Sequence, residues 1–167
     1  MNSSTTKQKL VIVLHGVPDS GKTTTLNLLI QLLLGTEGSS LLKEDRKNLR
    51  GEDRRVLISY QGKKVYVATP GDIEREIWRS IMLSGIEGCD IFVSAARSRG
   101  RTQKVIEEYA EALHVAPVRV KKRQVKEDRD EANRAQAQDI KEIKDKANRA
   151  QAQELKDRID VFIKAHL

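Results

Sequence analysis

Residues 16–23 read GVPDSGKT, a G-x-x-x-x-G-K-[ST] run from Gly16 to Thr23, and they stand between an apolar run and a helical one. Leu10 to Leu14 is an unbroken stretch of branched apolar residues, the pattern of a strand buried on both faces. Thr24 to Leu34 places Leu26, Leu29, Ile30 and Leu33 on one helical face, with Gly35 as the stop. Strand, glycine turn and helix in that order commit the strand to the inside of a sheet and the helix to its face. Gly16 and Gly21 let the backbone turn tightly and aim successive N–H groups inward, a concavity suited to phosphate oxygens. The helix N-terminus adds partial positive charge at the same place. Val17, Pro18, Asp19 and Ser20 form the loop between the glycines, and Lys22, Thr23 and Thr24 open the helix. Residues 16–24 are therefore the expected phosphate-binding segment, with Lys22 reaching the terminal phosphates and Thr23 offering its hydroxyl to Mg²⁺.

Further along, the pattern alternates. Residues 35–55 are rich in Gly, Ser and charge and read as a long functional loop. Val56 to Tyr60 and Val65 to Ala68 flank a Gly-containing turn, so these two strands are expected to be antiparallel. Thr69-Pro70-Gly71-Asp72 ends the second of them, and Ile73 to Leu83 reads as an amphipathic helix carrying Trp78. Asp90 to Ala95 is another strand, Thr102 to Leu113 another helix, and Pro117 to Val120 a last strand. This alternation predicts an α/β three-layer sandwich with a mostly parallel sheet over residues 1–124.

Residues 125–167 have a different texture. ANRAQAQ occurs at 132–138 and again at 147–153, and no Gly or Pro follows Pro117. Ala132, Ala135, Ile140, Ile143, Ala147, Ala150, Leu155, Ile159 and Phe162 form one stripe, predicting a single long helix of about 60 Å. The stripe is thin and Ala-rich. It suits a helix folded back on the domain, or one that self-associates or binds a protein partner as a coiled coil, and it is expected to govern association more than folding of the core.

Composition narrows the class. The segment before Leu10 is polar and the apolar run after it is too short to span a membrane, so a cytoplasmic protein without a membrane span is expected. Cys89 stands alone, which excludes an internal disulfide and a zinc cluster with the scattered His15, His114 and His166. One Trp and few other aromatics argue against a stacking platform for single-stranded nucleic acid. The net charge of +7 splits as +2 over residues 1–96, +6 over 97–126 and −1 over 127–167. Arg97, Arg99, Arg101 and Lys104 form one basic cluster, and Arg119, Lys121, Lys122, Arg123 and Lys126 a second. Such clusters attract polyanions, among them nucleotide phosphates and a nucleic-acid backbone.

Over residues 10–120 the chain resembles the P-loop NTPase superfamily, through the loop itself and the strands around it. The hairpin followed by ATPGD resembles that of Ras-like GTPases, whose strand-end Asp holds Mg²⁺ through water. Here Ala68 occupies that position, so the resemblance passes the metal role to Asp72. No N-K-x-D follows the later strands, which favours ATP over GTP. The loop GVPDSGKT is also similar to those of small nucleoside and polynucleotide kinases. In that likeness Arg97, Arg99 and Arg101 correspond to a lid that stabilises the transferring phosphoryl group, and Asp45 or Asp53 to the carboxylate that receives an acceptor's proton. The resemblance implies an enzyme that binds Mg²⁺–nucleoside triphosphate and hydrolyses it, or transfers its γ-phosphoryl group to a hydroxyl. A nucleotide-gated interaction module with feeble hydrolysis is the reading of a different class.

Overall fold

The computed structural model describes residues 7–124 and 137–167. Six strands form one sheet: β1 (Leu10–Gly16), β2 (Ser40–Asp45), β3 (Arg55–Tyr60), β4 (Lys63–Ala68), β5 (Ile91–Arg97) and β6 (Val118–Lys121). Four helices cover it: α1 (Lys22–Leu34), α2 (Glu74–Glu87), α3 (Arg101–Ala112) and α4 (Ala137–Ala165). The strand order is β2-β3-β4-β5-β1-β6, parallel from β4 to β6, with β3 antiparallel to β4 and β2 antiparallel to β3. No described helix is long and apolar enough to cross a membrane.

Strand alternation divides the core in two. Ile12, Leu14, Val56, Ile58, Val65, Val67 and Val93 face α1 and α4, whereas Val11, Val13, Leu57, Tyr66 and Phe92 face α2 and α3. The result is the expected three layers of helix, sheet and helix. β1 lies between β5 and β6, its Val11 to Leu14 all buried. The antiparallel β3–β4 hairpin also forms as its turn residues predict, with Gln61 and Gly62 both at positive φ.

Two expectations change. Residues 35–55 are not all loop, because Ser40–Asp45 pairs antiparallel with β3 and extends the sheet. Its side chains are mostly exposed, so neither strand-like alternation nor an apolar face marks it in sequence. α2 continues to Glu87, past Gly85, and stops where Gly88 takes a left-handed φ of 63°.

The long helix begins, among the described residues, at Ala137, and its 29 residues correspond to about 43 Å. Ala132 and Ala135 of the expected stripe lie outside the described residues. The remainder of the stripe is rotated slightly from the expected one. Ala152, Leu155, Ile159 and Ile163 are buried, Phe162 packs partly against them, and Ile143 and Ala150 are exposed. What covers this stripe is the chain's own core, shared with Leu26, Leu29, Ile30 and Leu33 of α1. A polar contact fixes the register: Tyr60 of β3 donates to Asp160, which Lys156 holds from within α4 at 2.9 Å.

Candidate functional site

All parallel strands point their C-terminal ends to one edge of the sheet, and the site residues gather there. β1 ends at Gly16, where the chain turns back through Val17 to Ser20 and enters α1 at Lys22. Gly21 makes that entry with φ 91°, a left-handed conformation that a side chain would strain. The first turn of α1 carries no acidic residue, so its positive end is not neutralised from within the helix. Lys22, buried to 6% exposure, folds over the loop and donates from Nζ to the carbonyls of Gly16 at 3.1 Å and Val17 at 2.9 Å. The hydroxyl of Ser20 is buried without a hydrogen-bond partner. Lys22 thus closes over the turn, and the Ser20 hydroxyl is packed beside Gly16, 2.7 Å from where a Cβ would stand.

Facing this loop, a cleft of about 640 Å³ opens between α1, the 46–53 segment and the 69–76 turn into α2. Asp19 through Thr24 line it, opposite Asp53, Thr69 and the Pro70-Gly71-Asp72 turn. Val17 and Pro18 lie on the outside of the loop, exposed, and are not part of the wall. Gly71 is placed by contact: a Cβ there would sit 2.5 Å from the backbone carbon of Ala95, so only glycine lets the turn lie against β5.

Of the carboxylates on the cleft wall (Asp19, Asp53, Asp72 and Glu76), two meet the first turn of α1. Asp53 Oδ1 accepts from Thr23 Oγ1 at 3.0 Å and from Thr69 Oγ1 at 2.9 Å. Asp72 lies instead 3.5 Å from Lys22 Nζ and 3.8 Å from Arg97 Nε. The sequence singled out Asp72 as the partner of Thr23 for a metal; the side chain that actually meets the Thr23 hydroxyl is Asp53. The signal for it is spatial, because the antiparallel hairpin returns the start of β3 to the C-terminal edge of β1. Asp45 sits at the end of β2 and accepts the Lys47 N–H at 2.9 Å, outside the cleft wall. Asp90 lies at the opposite edge of the sheet, where it accepts the Lys64 N–H at 2.9 Å and meets Lys7 at 2.7 Å. Burial pushes the Asp90 carboxyl up, but Lys7 and the Lys64 N–H outweigh it and hold its pKa low.

Mg²⁺ asks for hard oxygens in small number, one or two carboxylates with water and phosphate completing the octahedron. Thr23 Oγ1 and the Asp53 carboxylate, adjacent at 3.0 Å, fit that demand, with Asp72 on the same wall. Among the described residues no group of three or more His, Cys, Asp or Glu forms an all-protein metal cage.

Of the three arginines expected at the site, Arg97 comes nearest, through Asp72, and its loop is tied to the Gly16–Thr23 turn because Ser98 N–H donates to Gly16 O at 3.2 Å. Arg99 and Arg101 are exposed, with Arg101 3.7 Å from Glu74. The second basic cluster is largely engaged within the chain. Arg119 pairs with Glu107, Arg123 pairs with Glu154 of α4 at 2.7 Å, and Lys122 is buried behind the loop with Nζ on the Arg123 carbonyl at 2.6 Å. Burial first, then Arg123, lowers the Lys122 pKa. Lys126 lies outside the described residues.

Sequence reading missed the part α4 plays here. Gln151 accepts the Arg123 N–H at 3.1 Å and donates to the Lys121 carbonyl at 2.7 Å, clamping the end of β6. Asn148 accepts from Thr25 Oγ1 at 3.3 Å, directly behind the loop. The repeated ANRAQAQ marks these residues as special without saying what they touch. No family model matches the chain, and no curated protein matches it.

Proposed function

We propose that the cleft binds Mg²⁺–nucleoside triphosphate, ATP in preference to GTP, and that the protein hydrolyses its γ-phosphate, as a member of the P-loop NTPase superfamily. The observation that carries this reading is Lys22, buried against the Gly16 and Val17 carbonyls on the wall of the cleft, at the start of a helix with no acidic residue in its first turn. An ammonium and an unneutralised helix N-terminus at one wall suit a phosphate. Bound at Thr23 and Asp53, Mg²⁺ would neutralise charge on the β- and γ-phosphates. Lys22 would exchange its carbonyl partners for phosphate oxygens, and backbone N–H groups at the start of α1 would hold the chain of phosphates. Displaced from Lys22, Asp72 remains with Arg97, which places a guanidinium beside the cleft for charge developing in the transition state.

The second reading is transfer to a hydroxyl acceptor, favoured by a second cavity that shares a wall with the first. Release and transfer of labelled γ-phosphate from ATP and GTP, with and without nucleosides and oligonucleotides, decides between them. Free phosphate selects hydrolysis, and label on an acceptor selects transfer. Tight binding with neither product selects a nucleotide-gated module in which α4, touching the loop through Asn148, carries the bound state outward. Lys22→Ala should abolish the stabilisation of about 2.7 kcal/mol that ligand at a hundredfold Kd confers. If that stabilisation survives unchanged, the loop is not the phosphate site.

A further inference from the structure

Beside the cleft lies a cavity of about 510 Å³ lined by Asn48, Arg75, Glu76, Trp78, Arg79 and Met82. Asn48, Arg75 and Glu76 line both spaces, so the two adjoin. Its chemistry differs from that of the phosphate loop. Trp78 and Met82 stand one helical turn apart on α2, and they are 44% and 56% exposed although large apolar side chains on a core-packed helix usually face inward. Arg79 brings a buried Nε that has no hydrogen-bond partner. Glu76 is held by Arg55 at 2.7 Å and meets Arg75 at 3.9 Å, so Arg79 is the guanidinium for which, among the described residues, no carboxylate is close. An indole, a thioether and two guanidiniums, one of them without a carboxylate partner, present a planar apolar surface next to positive charge.

We propose that this cavity is a second ligand site for a mononucleotide, its base against Trp78 and Met82 and its phosphate on Arg79 and Arg75. A nucleoside phosphate joins a flat ring and a compact anion, the two chemistries this one cavity brings together, and guanidiniums hold phosphate through paired N–H donors. A lone tryptophan provides for one ring, not for a run of stacked bases, which selects a single nucleotide unit, free or at a strand end, over an extended strand. The proposal deepens the transferase reading, for a ligand here faces the cleft across the common wall of Asn48, Arg75 and Glu76.

Trp78 is the sole tryptophan of the chain, so its fluorescence reports on this cavity alone. Titration with nucleoside monophosphates, without triphosphate, is expected to quench it saturably, and the corresponding nucleosides to bind at least about tenfold more weakly. Arg79→Gln should weaken the monophosphate by about tenfold. Arg75→Gln, at a side chain 88% exposed and so remote from folding, should weaken it in the same direction. Lys22→Ala should leave the quench intact while losing triphosphate binding, which separates this site from the cleft. A quench given only by 5′-phosphorylated oligonucleotides identifies a strand end as the source of the same chemistry. Fluorescence unchanged by every nucleotide, equal affinity for nucleoside and monophosphate, unaltered affinity in both arginine variants, or loss of the quench in Lys22→Ala would each overturn the proposal.

Discussion

Arg55 is the largest fully buried side chain of the protein, and Glu76→Ala tests how the site is held by it. Its Nε donates to Ser80 Oγ at 2.8 Å, and its NH2 donates to the Glu76 carbonyl at 2.9 Å and the Glu76 carboxylate at 2.7 Å. These bonds pin the first turns of α2, and with them the Thr69–Asp72 turn, onto β3. Removing the carboxylate leaves a guanidinium in the interior with two neutral acceptors and no counter-charge. Breaking one side of a buried ion pair costs about 3–5 kcal/mol. Glu76 is itself 16% exposed, and the carbonyl and Ser80 bonds persist, so the expected loss is at the low end, about 3 kcal/mol. For a chain of this size that is a fall in Tm of about 6–12 °C. Urea unfolding should show the midpoint falling with the slope unchanged. Replacing both residues, Arg55→Met with Glu76→Ala, removes the uncompensated charge and should recover most of the loss. A single variant losing less than about 1 kcal/mol, or a double variant no better than the single, would falsify the view that this pair locks α2 in place.

Asp53→Asn should weaken the Mg²⁺ dependence of nucleotide binding more than Asp72→Asn, because Asp53 meets Thr23 at 3.0 Å whereas Asp72 faces Lys22 and Arg97; isothermal titration across Mg²⁺ concentrations reads the order, and the reverse order returns the metal role to Asp72. Leu155→Ala, at a fully buried position of α4, should destabilise the whole domain by about 2–5 kcal/mol, and a loss confined to the tail by hydrogen exchange would mean that the helix is an appendage. Burial, then Arg119 and Lys121, holds the His15 pKa below its ordinary 6.5, so the unfolded chain binds the proton more tightly than the folded one. Stability is therefore complete above pH 6.5 and declines as pH falls below it, and His15→Gln should flatten that slope in denaturation midpoints between pH 7.5 and 5.5.

The Gly16–Thr23 turn, its strand and its helix were legible in sequence because every part is local. An apolar run, two glycines, a Lys-Thr pair and a helical stripe are all set within a few residues, and short-range sterics and periodicity decide them. The same holds for the β3–β4 hairpin and for the alternation that makes three layers. What the sequence left open depends on which distant segments meet. β2 exists because β3 offers an edge to pair with, not because its exposed side chains ask for a strand. Asp53 becomes the neighbour of Thr23 only when the antiparallel hairpin brings the start of β3 to the end of β1, and nothing in the spacing of 23 and 53 encodes that. The tail shows the division most clearly. Its periodicity fixed a helix, but a thin stripe of Ala, Leu and Ile fits many surfaces, and only packing against α1 selected Ala152, Leu155, Ile159 and Ile163 over the neighbouring alternatives. Once that register was set, Gln151 and Asn148 necessarily landed on β6 and behind the Gly16–Thr23 turn, since a rigid helix transmits the position of its buried residues to all the others.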